Sequence, residues 1–97
     1  MTRIEFAPEV AEDLDRIIEH VGHSASGEAA ARINEIVQAI EVLAHSPLIG
    51  RPTAGGKREL IIGRKGRGYV ALYRFVDQLD TVYILGIRSQ REAGYAR

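Results

Sequence analysis

The chain has 97 residues, 13 Lys/Arg against 13 Asp/Glu, 45% apolar residues and no cysteine. That length suits one domain, residues 1–97, with an adequate core, and the composition excludes a chain disordered throughout. The missing cysteine excludes disulfides and thiolate metal ligands, and no apolar run approaches the ~20 residues that span a bilayer, so a soluble, cytoplasmic chain without membrane contact is expected.

The zero net charge hides a division. Residues 1–46 carry three arginines against nine acids, −6, whereas residues 47–97 carry ten Lys/Arg against four acids, +6. Such a dipolar chain either neutralises itself across the fold or turns its basic side to something anionic.

Taken in order, Arg3 to Phe6 alternates weakly and reads as a short edge strand. Pro8 suits the first turn of a helix, and Glu9, Glu12 and Asp13 set negative charge at the positive end of its dipole. Val10, Leu14, Ile17, Ile18 and Val21 form its apolar stripe, which Gly22 is placed to end. After a short connector, with Ser24 or Ser26 as N-cap, a second stripe runs through Ala29, Ile33, Ile36, Val37, Ile40, Leu43 and Ala44. Two amphipathic helices so closely joined are expected to pack as an antiparallel hairpin.

Residues 46–57 (SPLIGRPTAGGK) hold two prolines and three glycines and read as a surface loop. Three strands follow: one around Arg58–Ile62, one over Tyr69–Val76, and one over Thr81–Arg88. The last two are joined by a short polar link that marks a hairpin. Residues 90–97 read as a last turn or helical turn. The order β-α-α-β-β-β predicts an α+β fold, with the helical hairpin on one face of a twisted, mainly antiparallel sheet. The sheet is apolar on both sides, so its second face is available to a partner.

Candidate chemistry is sparse. His20 and His23 beside Glu19 lack a third ligand at a usual spacing, so no metal and no cofactor is expected. The glycines of GRKGRG lie between two strands, not between a strand and a helix, which rejects a phosphate-binding fingerprint. What remains there is a hairpin tip with Arg64, Lys65 and Arg67, either solvated charge or an anion contact. Arg88, Arg91 and Tyr95 collect at the end of the last strand, and Arg74 could share a face with Arg88. Arginines there suit forked contact with phosphates or carboxylates. The plainer reading pairs Arg88 with Glu59 or Asp80 and leaves Tyr95 to pack.

The helical hairpin, the connector PLIGRP, and the blocks REL, GYVALYR and DTVYILGIRSQREAGY together resemble the RelE/ParE superfamily of toxins from type II toxin–antitoxin modules. The likeness spans essentially the whole chain. It implies a helical hairpin on a twisted sheet, an antitoxin partner in a hetero-oligomer, and one of two targets. ParE-like members trap DNA gyrase and RelE-like members cut messenger RNA on the ribosome without metal. Where the nuclease pattern needs basic groups this chain has Leu60, Ile61 and Ile62, then Val70 after Tyr69, and Ser89. Tyr95 alone matches, and as a proton carrier it would need its pKa lowered by nearby arginines. The resemblance therefore implies a gyrase inhibitor first, with Arg64, Lys65, Arg67, Arg74, Arg88, Arg91 and Tyr95 contacting target or partner. A ribosome-dependent RNA interferase, and a non-toxic relic that only binds antitoxin, are the alternatives.

Overall fold

Alternation in two strands and two helical stripes places one set of apolar side chains on a common interior. The computed structural model describes residues 1–21, 27–63 and 66–96. Its elements are β1 (Arg3–Phe6), α1 (Glu9–Val21), α2 (Glu28–Glu41), β2 (Arg51–Thr53), β3 (Lys57–Ile62), β4 (Tyr69–Val76) and β5 (Thr81–Ser89). The strands form one sheet in the order β1-β5-β4-β3-β2. β1 runs parallel to β5, and the remaining pairings are antiparallel. No helix among the described residues is long and apolar enough to cross a membrane.

β4 turns Tyr69, Ala71 and Tyr73 towards the helices, where all three are buried, with Phe75 packed beside them. From the other side come Val10 and Ile17 of α1, Ile36 and Ile40 of α2, and Leu43 just beyond it. β5 contributes Val82, Ile84 and Ile87, all fully buried. Their uneven spacing reflects a bulge: Leu72 pairs with Gly86 and Tyr73 with Ile84, so Leu85 is an extra residue. The bulge reverses the alternation after it. Ile87 thereby joins the core, and Arg88 turns to the face away from the helices.

Three expectations need correction. Ile18 was expected in the core stripe but is 38% exposed, whereas Asp13, read only as negative charge at the start of the helix, is 1% exposed. Asp13 takes an inner position because the sheet presents a polar backbone group to it, as described below. The segment 46–57 is more than a loop, since β2 pairs Arg51 with Glu59 and Thr53 with Lys57. Pro52 is tolerated because β2 is an edge strand. Residues 90–91 form a turn followed by bends at 92–94, the first of the two forms expected of the tail.

The connector before β2 is built around Tyr73, whose hydroxyl donates to Pro47 O (2.8 Å) and accepts the Gly50 N–H (2.9 Å). A Cβ on Gly50 would stand 2.6 Å from that ring, so glycine is needed there. α2 starts at Gly27, which supplies no side-chain cap. The expected caps Ser24 and Ser26, the expected stop Gly22, and His23 lie outside the described residues.

Candidate binding site at the basic end of the sheet

β1 pairs with β5 only from Thr81 to Ile84, which leaves the far half of that edge without a strand. Side chains of α1 stand in for one. Asp13 Oδ2 accepts the Ile87 N–H (2.9 Å), and Arg16 Nη2 donates to Ile87 O (3.2 Å). The two side chains are tied by a 3.0 Å ion pair. Farther along, Glu92 Oε1 accepts the Ser89 N–H (2.8 Å), and Glu92 also pairs with Arg16 at 3.4 Å. Backbone donors that would be buried and unpaired are thus satisfied, and the end of β5 is held in a defined position.

Arg88 sits on the open face opposite Val70. Its Nη1 donates to Ser89 O (3.1 Å) and Glu92 O (3.0 Å), and its Nη2 lies 3.9 Å from Glu59 Oε2. Its guanidinium carbon lies 5.3 Å from the centre of the Tyr95 ring, a cation–π distance. Arg88 Nε is buried without a hydrogen-bond partner among the described residues. The Tyr95 hydroxyl donates to Glu59 Oε2 (2.7 Å), while Arg51 forks onto Glu59 Oε1 through Nε (3.2 Å) and Nη2 (3.0 Å). Tyr95 therefore bridges β3 and β5 across β4. That explains why Val70, facing away from the helices, is only 2% exposed.

The electrostatics follow from this network. Burial pushes the Tyr95 hydroxyl pKa above its ordinary value, and the hydrogen bond and charge of Glu59 push it further; Arg88 opposes them less strongly. The lowering that proton transfer would need is the reverse of what the site does. For Glu59, burial acts to raise the pKa, but the hydrogen bonds of Tyr95 and Arg51 and the charges of Arg51 and Arg88 outweigh it. The net effect holds the carboxylate below its usual range.

The remaining predicted residues divide by location. Gln90 staples the β3–β4 tip to the end of β5: its Oε1 accepts the Gly66 N–H (3.1 Å), its Nε2 donates to Ile62 O (3.1 Å), and its own N–H donates to Gly68 O (2.9 Å). A Cβ on Gly68 would fall 1.8 Å from Ile62 O, so the tip closes only around glycine. The staple brings Arg67 and Arg91 to one cleft of about 400 Å³, shared with Arg32 and His20 of the helical hairpin. Arg74 shares the open face with Arg88 but stands apart, donating to Gly55 O (2.8 Å). It pairs opposite Tyr83, four residues along β4 from Val70, or about 13 Å at strand rise. Arg64 and Lys65 lie outside the described residues. No group of three or more potential His, Asp or Glu metal ligands occurs among the described residues.

Sequence reasoning missed Asp13, Arg16, Gln90 and Glu92 as organisers of this end. The one available signal was compositional, a Gln and a Glu directly after a strand rich in β-branched residues.

The model for the ParE toxin of type II toxin–antitoxin system, parDE, matches residues 4–94. The chain belongs to this family. Among solved structures, the ParE-family chain resembles one from the chromosomal ParDE system of P. aeruginosa, with 26% identity, 92% of this chain and 96% of that chain covered, and a TM-score of 0.75. It also resembles a chain of the RelBE2 toxin–antitoxin complex from Mycobacterium tuberculosis, with 25% identity, coverage of 91% and 96%, and a TM-score of 0.59. The intact E. coli RelBE complex shares the fold, at 13% identity, coverage of 100% and 99%, and a TM-score of 0.63. No curated protein matches this ParE-family chain by sequence.

Proposed function

We propose that this toxin acts by binding and inhibiting DNA gyrase, and that a cognate antitoxin neutralises it in a hetero-oligomer. The observation that carries the reading is the state of Tyr95. Its hydroxyl is hydrogen-bonded to a carboxylate and its pKa is raised, so it is a poor acceptor of a 2′-hydroxyl proton. Its surroundings support the same reading. The nearby open face offers Ile61 with Leu72 half-buried beside it, and the charge of Arg88 is partly balanced by Glu59. RNA cleavage at Tyr95 would need the cation beside it free to stabilise charge developing on a phosphate, and Arg88 is engaged by Ser89 O, Glu92 O and Glu59.

The second reading is ribosome-dependent cleavage of messenger RNA. It is favoured by one feature, a tyrosine held against an arginine at the end of the sheet. Purified toxin in a gyrase supercoiling assay, alongside induction in cells with transcripts followed in parallel, tests the choice. Wild type and Tyr95→Phe are expected to inhibit gyrase alike, Arg91→Glu to inhibit poorly, and ribosome-bound transcripts to stay whole. Transcripts cut soon after induction, and left intact by Tyr95→Phe, would overturn the gyrase reading. A chain that neither slows growth nor inhibits gyrase without antitoxin would instead be a non-toxic antitoxin binder.

A further inference from the structure

We infer that the cleft between the helical hairpin and the β3–β4 tip is a docking site for an acidic side chain flanked by an apolar one, carried on the antitoxin polypeptide. The inference rests on the proposed toxin–antitoxin reading and assigns the partner a place and a chemistry.

The donors surround the cleft before any partner arrives. Arg91 is anchored by Nε, which donates to Gly66 O (3.1 Å), leaving its terminal nitrogens without a partner among the described residues. Arg67 is exposed and makes no hydrogen bond or ion pair among the described residues. Ser89 Oγ accepts the Arg91 N–H (3.2 Å), so its own hydroxyl proton remains available. Arg32 stands on the opposite wall in a long, half-exposed pair with Glu28 (3.4 Å), an arrangement that costs little to exchange. The Gln90 staple fixes the backbone of the tip against the end of β5 and Arg91 is anchored to that tip, so it is chiefly the Arg67 side chain that binding must order.

The shape of the charge selects the ligand. Of the residues lining the cleft, Ile17 and Tyr69 are buried and give it an apolar floor, and Arg67 and Arg91 are exposed at its edge. Such a site suits a carboxylate held in an arginine fork with a neighbouring aliphatic or aromatic side chain beneath it. A nucleic acid strand would carry its charge onward over the helices. There it would meet Glu19 and Glu35, both exposed, and Glu28 at the cleft wall. At about 400 Å³ the cleft is near the small end of ligand sites, which run about 300–1,000 Å³. An antitoxin seated here would cover Arg67 and Arg91 without touching Tyr95.

The test uses the complex with the antitoxin encoded beside the toxin, its dissociation followed at fixed ionic strength. Arg32→Glu and Arg67→Glu are expected to speed dissociation, and the double variant by about tenfold or more. Arg67→Lys, which keeps charge but loses the fork, should fall between. Arg3→Glu, a charge reversal on exposed β1, should leave dissociation unchanged. Thermal melts of the free toxins check that the variants fold, and both cleft side chains are exposed enough that they should. Dissociation unaffected by the cleft variants, or raised equally by Arg3→Glu, overturns the inference while leaving the toxin–antitoxin reading intact. A labelled DNA duplex that binds wild type and is lost in the cleft variants, with antitoxin binding unaffected, overturns it in favour of nucleic acid. A wild-type chain that does not bind the antitoxin overturns the parent reading as well.

Discussion

Replacing Asp13 by alanine removes a carboxylate that is 1% exposed and tied to both the sheet and α1. The Ile87 N–H, 2.9 Å from it, then loses its acceptor at a place where no strand can replace it. A buried unsatisfied donor costs about 1–3 kcal/mol. Arg16 loses its 3.0 Å partner too, but its side chain is 33% exposed and keeps Glu92, so this loss is worth about 1 kcal/mol at most. The expected destabilisation is therefore about 1–4 kcal/mol, above the cost of an ordinary exposed acid. Urea unfolding at neutral pH measures it, and amide exchange at Ile87 locates it. Asp13→Asn, which still offers an oxygen to the N–H, should lose less. A loss below about 0.5 kcal/mol for Asp13→Ala, with Ile87 still protected, would refute the view that α1 completes the edge of β5.

Glu59 has a pKa below its ordinary value in the folded chain, so its network stabilises the protein above the unfolded pKa of about 4.3 and loses that contribution as pH falls through the lower folded value. Glu59→Gln should thus destabilise at neutral pH by about 1–3 kcal/mol, and the gap to wild type should close in acid; a gap independent of pH would contradict the assignment. Ile36 is fully buried, and Ile36→Asp would place an unpaired charge in the core. No cooperative unfolding transition is expected for that variant, and a soluble, cooperatively folded one would disprove the packing.

The hydrophobic periodicities read well because they record burial directly. The stripes of α1 and α2 and the alternation of Tyr69 to Phe75 carry the layer order without help from tertiary context. What failed were features that depend on a neighbour in space. The bulge at Leu85 has no composition of its own, and without it Arg88 would be assigned to the wrong face of β5. Asp13 looks like a helix-dipole residue, and its true partner, Ile87, is 74 positions away. β2 is three exposed residues containing a proline, and only its pairing with β3 makes it a strand. Ile18 was misplaced because an apolar stripe wider than the contact leaves one edge in solvent, where it borders a groove with Ile33 and Val37.

The same long-range contacts bear on function. In sequence Arg88 and Tyr95 read either as a basic and aromatic pair for a partner, or as an arginine paired with Glu59 or Asp80 beside a packed tyrosine. The fold has the Glu59 pairing: both serve the strap that crosses β4, with Glu59 and Arg51 completing it. Side chains committed to such a network are costly to redirect, because exposing Arg88 or freeing Tyr95 breaks several contacts at once. Among the described residues of the cleft, the cations with few internal obligations are Arg67 and the terminal nitrogens of Arg91 at the tip. Those two are positioned by Gln90, a neutral residue that no charge-based reading would single out. The division of labour is physical, since one set of basic groups holds the tail to the sheet and another faces outward. A partner that recognises this toxin by charge should engage the second set, and the first should govern only whether that surface keeps its shape.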